Sequence, residues 1–151
     1  MKFLITILLI TPLFIFSQDK GKTENKQQAG SKDSSASEWK APKSAGKEKN
    51  PLAGIIEATH KGENLFVQNC TECHGMAGAG DGPTADMLDT KPANLTSPKV
   101  QKESDGALFW KISEGKGAMA SYKNVFSEEQ RWQLINYIRT LGKDSVEKKK
   151  K

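Results

Sequence analysis

Apolar residues recur at helical spacing in three stretches of this 151-residue chain, and no run alternates with period two. Ala58, Gly62, Leu65, Phe66 and Cys70 mark the first helix, with Asn50-Pro51 in front of it as an N-cap and a first-turn proline. Leu108, Phe109 and Ile112 mark the second, which Ser104 or Asp105 would cap and Gly115 would end. In the third, Ser127-Glu128-Glu129-Gln130 has the form of a capping box. Leu134, Ile135, Ile138 and Leu141 follow on one face, and Gly142 is expected to stop the helix. Residues 75–103 are rich in Gly and Pro and read as loop, with one short helical turn opened by Pro83 and running toward Leu88. The fold class predicted is all-α: three main helices joined by long loops.

Outside these stretches the pattern changes. Residues 1–17 combine Lys2, an apolar run and the small Ser17, as in a secretory signal peptide. The run is interrupted by Thr6, Thr11 and Pro12 and is shorter than a spanning helix needs, although an uncleaved N-terminal anchor is the alternative. Residues 18–37 are almost devoid of apolar side chains and read as a disordered polar linker. Trp39 and Pro42 break that polarity, so residues 38–52 are expected to lie extended against the domain. The compact domain is assigned to residues 38–143, its core to 51–143, and residues 144–151 to a basic tail.

Charge follows the same division. The formal net charge is +5, yet residues 51–143 hold 10 Lys/Arg against 11 Asp/Glu. The basic excess belongs to the tails, which argues against a nucleic-acid surface on the domain. A domain of about 90 residues with three modest helices is poor in core. A large apolar body is expected at its centre.

Cys70-Thr71-Glu72-Cys73-His74 supplies a candidate for it. Cys-x-x-Cys-His reads as a covalent haem attachment site, with two thiols for the vinyl groups and a histidine for the iron. These are the only two cysteines. A redox Cys-x-x-Cys of the thioredoxin kind would need a βαβ context that the pattern lacks. A structural zinc site would need four ligands, and only His60 is left over.

Taken together, Gly62 to Leu141 resembles the small single-haem class I c-type cytochromes of exported bacterial type. The match runs through Gly62, Phe66, Cys70, Cys73, His74 and Gly75, then Gly78-x-Gly80-Asp81-Gly82-Pro83 and Pro92-Ala93-Asn94-Leu95. It continues through Asp105-Gly106-x-Leu108-Phe109 and Gly115-x-Gly117-x-Met119, and ends on Trp132-x-Leu134-Ile135-x-Tyr137-Ile138-Arg139-x-Leu141. The resemblance implies a cytochrome c-like fold around one covalent haem c. It implies His74 as proximal and Met119 as distal iron ligand, the latter 45 residues further on. It also implies that the Pro83 carbonyl accepts a hydrogen bond from the His74 ring and that Trp110 lies beside the haem edge or a propionate. Gly62 and Phe66 would pack against Leu134 and Tyr137. Met76 is too close to His74 to reach the opposite face, and Met87 is expected to be core filler. The family usually carries proline beside the distal methionine; here Ala118 and Ala120 flank it, which would soften the loop.

The function so implied is one-electron transfer outside the cytoplasmic membrane, not catalysis, by an exported, periplasmic monomer that meets redox partner proteins transiently. Contact with the membrane is expected only through an uncleaved N-terminus or a membrane complex. Two alternatives stand beside it: a haem-based sensor or enzyme with a labile sixth ligand, and a tethered subunit of a larger oxidase or dehydrogenase.

Overall fold

A computed structural model describes residues 39–148, with side chains to residue 142. The expected signal peptide, the polar linker and the last three lysines lie outside the described residues. The described residues hold five α-helices: α1 (Ile56–Asn69), α2 (Thr71–His74), α3 (Pro98–Gln101), α4 (Asp105–Glu114) and α5 (Glu128–Lys148). Two 3-10 turns, Ala45–Lys47 and Ala85–Met87, complete the regular structure. Among the described residues there is no strand, only an isolated bridge between Lys116 and Met119. The chain is all-α. No helix among these residues is long and apolar enough to cross a membrane.

The crossing of α1 and α5 organises the core. Phe66 and Ile135 are fully buried there, and the Phe66 and Tyr137 rings lie 5.2 Å apart. Gly62 makes the crossing possible, because a Cβ at this position would stand 1.9 Å from the Gln133 carbonyl oxygen. The pairing of Gly62 and Phe66 with the Leu134–Tyr137 face is as the sequence implies. Helix α4 closes the core from the side with Leu108 and Ile112.

The helix starts follow local chemistry. Ser127 Oγ accepts from the Gln130 amide at 3.2 Å while Gln130 Oε1 accepts from the Ser127 amide at 2.8 Å. This is the reciprocal capping box that the sequence predicts. Ser104 Oγ accepts from the Ala107 amide and caps α4. Ser97 does the same for α3, with Pro98 in its first turn, a short helix inside what reads as loop. The turn expected after Pro83 is present as Ala85–Met87.

Two boundaries differ from expectation. Asn50 does not cap α1. Its Oδ1 accepts from the Leu52 amide at 2.9 Å to form a turn, and α1 begins only at Ile56. An Asn side chain serves turns and caps through the same kind of bond, so the sequence does not distinguish them. Its Nδ2 donates to Asn136 Oδ1 at 2.8 Å, and Asn136 Nδ2 donates to the Leu52 carbonyl at 2.6 Å, which ties the lead-in to α5. Gly142 does not stop α5, which continues to Lys148. Its missing side chain leaves room for Gln101, whose Nε2 donates to the Ile138 carbonyl at 2.9 Å and to the Leu95 carbonyl at 2.7 Å. The glycine serves a close approach, not a termination.

Residues 39–52 pack on the domain as expected, but not as an extended segment: Ala45–Lys47 forms a 3-10 turn, with Ala45 buried and its carbonyl seated against Gly106 of α4, where there is no side chain. The Trp39 ring lies 6.3 Å from that of Trp110, with the Lys111 ammonium 5.5 Å above it. Lys111 is held in turn by Glu103 at 2.6 Å. At the other end of α4, Arg139 joins Asp105 and the carbonyls of Gln101 and Glu103.

Candidate haem-binding site

Helix α1 runs almost directly into the motif. Cys70 donates its amide to the Phe66 carbonyl, and the His74 amide returns to the Cys70 carbonyl at 2.8 Å. One tight turn therefore carries Cys70, Cys73 and His74, spaced three and four apart, which sets them on one face. Both cysteines are free and half-buried. Burial, reinforced by the neighbouring Cys73, pushes the Cys70 thiol up to about 12. Both features suit sulfurs that end as uncharged thioethers in an apolar setting.

The Gly-rich segment after the motif straps it in place. Amides of Gly80, Gly82 and Thr84 donate to the carbonyls of His74, Cys73 and Glu72 at 2.8, 3.1 and 3.0 Å. Thr84 Oγ1 donates to the same Glu72 carbonyl at 2.8 Å and lies 3.4 Å from Cys73 Sγ. With the hydroxyl proton committed to Glu72, the Cys73 thiol is the donor in that contact.

The His74 ring is held by a different carbonyl from the one expected. Nδ1 lies 3.0 Å from the Ala93 oxygen, not that of Pro83. The Leu95 amide donates to Gly78 at 2.7 Å and draws residues 92–95 against the motif, whereas Pro83 leads into the Ala85–Met87 turn. Pro83 lines an open cleft of about 520 Å³ with Thr71, Glu72 and Asp81, and neither thiol lines that cleft. A carbonyl can only accept, so Nδ1 carries the proton and Nε2 keeps its lone pair. Burial also lowers the His74 pKa from its ordinary value, opposed in part by the Ala93 bond. A neutral imidazole with Nε2 available is the form that binds iron.

That shift predicts a pH dependence for the haem-free chain. The folded state favours neutral His74, while the unfolded chain takes a proton below about pH 6.5. Stability from this group is complete above that pH and is lost as pH falls toward the lower folded value. The urea midpoint of haem-free protein should therefore drop between about pH 7.5 and 5.5, with a smaller drop in His74→Asn. Equal drops in the two proteins would refute the assignment.

Met119 sits half-buried against the core in a turn closed by its own backbone. The Lys116 amide donates to the Met119 carbonyl at 2.9 Å and the Met119 amide to the Lys116 carbonyl at 3.1 Å. Ser121 Oγ and the Lys123 amide donate to the Ser113 carbonyl at 2.5 and 3.2 Å, and the Tyr122 amide to Ile112 at 3.1 Å. These bonds fix, without proline, a loop that the sequence suggests is soft. Met87 is 83% exposed and is not core filler, because its turn projects it away from the helices. Trp110 is half-buried against Trp39.

Tyr122 is a site residue that the sequence pattern does not single out. Its hydroxyl donates to the Asn69 carbonyl, the residue before Cys70, at 3.2 Å, and its ring stacks on Phe126 at 4.9 Å. Burial, and then the charges of Cys70 and Cys73, raise its pKa. Tyr122 thus joins the Met119 loop to the cysteine turn. Leu65, Leu95, Phe109, Met119 and Tyr122 all touch the core while remaining only partly covered. Desolvated thiols, an oriented neutral imidazole and this apolar lining fit a haem.

Residues 57–138 match the family model described as cytochrome c oxidase, cbb3-type, subunit III, a c-type cytochrome domain. The chain is a c-type cytochrome. Such a domain implies covalently bound haem c and haem-based electron transfer. Among solved structures, the cytochrome is similar to a chain of the Kuenenia stuttgartiensis reducing HAO-like protein complex, at 26% identity and a TM-score of 0.56. The alignment covers 60% of this chain and 46% of that one, so the cytochrome spans less than half of that relative's length. No curated protein matches it.

Proposed function

We propose that the cytochrome is a one-electron carrier with a single haem c, bound through Cys70 and Cys73 and ligated by His74 and Met119. The observation that carries the reading is the His74 ring, neutral and tied through Nδ1 to Ala93, with Nε2 left for iron. The haem would supply the Fe(III)/Fe(II) couple, with Met ligation and burial both favouring the reduced state. The chain's own part is to orient the imidazole, pin the Met119 loop, and surround the cofactor with apolar side chains. Trp110 is assigned to the haem surroundings on the sequence resemblance. The carrier acts as a monomer outside the cytoplasmic membrane, meeting redox proteins through small transient interfaces.

The optical spectrum of the purified protein tests this. The ferric form should show the red charge-transfer band of Met–iron ligation, and the ferrous form should bind CO slowly or not at all. A missing band with ready CO binding would favour the sensor or enzyme reading instead.

A second reading has support from the family description, which names an oxidase subunit, and from a structural relative that is part of a complex. In it the cytochrome delivers electrons within a larger oxidase or reductase and is held there by its N-terminal segment. Recovery of the intact product only in the soluble fraction would count against it.

A further inference from the structure

Arg131, in the first turns of α5, is 9% exposed and is the only charged side chain among the described residues to be so deeply buried. No carboxylate among those residues pairs with it. Its Nη1 donates to Ser113 Oγ, and its Nε lies 3.5 Å from the Ser127 carbonyl. The guanidinium rests 4.4 Å above the centre of the Phe109 ring, which also stacks on Trp132 at 4.0 Å. A buried cation with no carboxylate beside it among the described residues is costly, and an apolar side chain of similar size would fill the space at lower cost. Packing alone therefore does not account for the residue.

Ser113 gives it a second connection. This serine donates its hydroxyl to the Phe109 carbonyl at 2.7 Å, and its own carbonyl receives Ser121 Oγ and the Lys123 amide. Residues 121–123, which follow the Met119 turn directly, thus hang on the end of α4 that Arg131 grips. The path from guanidinium to distal loop is Arg131, Ser113, Ser121, and then two residues of backbone to Met119.

We propose that Arg131 is a positioning residue for the Met119 loop and that its buried positive charge favours the reduced iron, an inference that rests on Met119 being the distal ligand. The grip keeps residues 121–123 on α4 and so keeps the methionine in place. The charge acts because a fixed cation in a poorly screened interior disfavours the additional positive charge of Fe(III). Arginine suits both tasks, since it cannot shed its proton and its fork can hold Ser113 and Ser127 at once.

The holoprotein and three variants test this. Arg131→Met keeps the bulk and removes the charge, Arg131→Lys keeps the charge without the fork, and Ser113→Ala removes the grip alone. Arg131→Met should shift the Fe(III)/Fe(II) equilibrium about tenfold toward Fe(III), a fall in midpoint of 59 mV for one electron. It should also bind exogenous imidazole more tightly, because the displaced-Met state is more populated. Arg131→Lys and Ser113→Ala should bind imidazole more tightly with midpoints close to wild type. An Arg131→Met protein with unchanged midpoint and imidazole affinity, whatever its melting temperature, would overturn the proposal. Should that variant not fold, unchanged imidazole affinity in both Arg131→Lys and Ser113→Ala would overturn it. If the wild type lacks the Met–iron band, the ligation reading falls and this proposal with it. A normal wild-type band beside unshifted variants rejects this proposal alone.

Discussion

Replacing Gly62 by alanine should lower the melting temperature of the holoprotein by about 8–16 °C while leaving both thioethers intact. The Cβ would be placed 1.9 Å from the Gln133 carbonyl oxygen and 2.5 Å from its carbon. Both are backbone atoms in the second turn of α5, so no side-chain rotation relieves the clash. The helices must separate at the point where Phe66, Leu134 and Ile135 are most deeply buried. Overpacking of this kind typically costs about 1–3 kcal/mol, and a forced displacement of a helix crossing belongs at or above the upper end. Alanine's better helix propensity returns up to about 1 kcal/mol, leaving a net loss on the order of 2 kcal/mol. For a domain of this size each kcal/mol is worth about 4–8 °C. Gly46→Ala is the matched control. Its Cβ would meet only Ser104 Oγ at 3.5 Å, an ordinary contact, and the melting temperature should hardly move. Equal melting temperatures for Gly62→Ala and wild type would mean that the α1–α5 crossing is not as close as described.

The loss should fall on the fold and not on the ligands. Cys70, Cys73 and His74 are set by one turn and its strap, whose hydrogen bonds run within residues 70–84, and only the Cys70 amide reaches back to Phe66 at the crossing. The spectrum of folded Gly62→Ala should match wild type below its transition. A variant that lost stability and ligation together would show that the crossing and the cysteine turn behave as one unit.

Features with a local cause were legible in the sequence. The Ser127–Gln130 box and the Ser104 cap each consist of a side chain and an amide three residues away, so the sequence contains both partners. Cys70, Cys73 and His74 share one turn, and their spacing alone places them on one face. Gly62 was legible as a crossing point only beside a second helix with a matching face. What escaped depended on partners distant in sequence. Gly142 resembles a helix stop until Gln101, from another element, occupies the space beside it. Asn50 has the same side-chain chemistry in a turn as in a cap, and only Asn136 reveals which it serves. The partner of His74 is a main-chain oxygen, and since every residue carries one, no residue type marks Ala93 over Pro83. Tyr122 and Arg131 are ordinary residues in sequence. Their significance comes from Asn69 and Ser113, which lie 53 and 18 residues away.

Met119→Ala should open the sixth coordination position while covalent haem remains, because neither thiol nor His74 is touched. The red charge-transfer band should disappear, and ferrous protein should bind CO without prior displacement of a ligand. The midpoint should fall on the order of 0.1 V or more, since axial ligation governs haem potentials over about 0.8 V and methionine lies toward the high end. The fold should survive. The turn is closed by backbone bonds between Lys116 and Met119, and residues 121–123 are held by Ile112 and Ser113, none of which involves the thioether. The lost side chain is only half-buried, so the stability cost should stay below the roughly 2–5 kcal/mol of a fully buried Met→Ala change. Two comparisons give the experiment its direction. Met87→Ala removes an 83% exposed methionine and should leave band, potential and CO binding unchanged. Met76→Ala, at 66% exposure and two residues from His74, should do the same. If Met119→Ala keeps the wild-type spectrum and one of the other two loses it, the distal ligand lies in the 75–103 loop. The Tyr122–Asn69 tie would then join the cysteine turn to a loop that does not contact the iron.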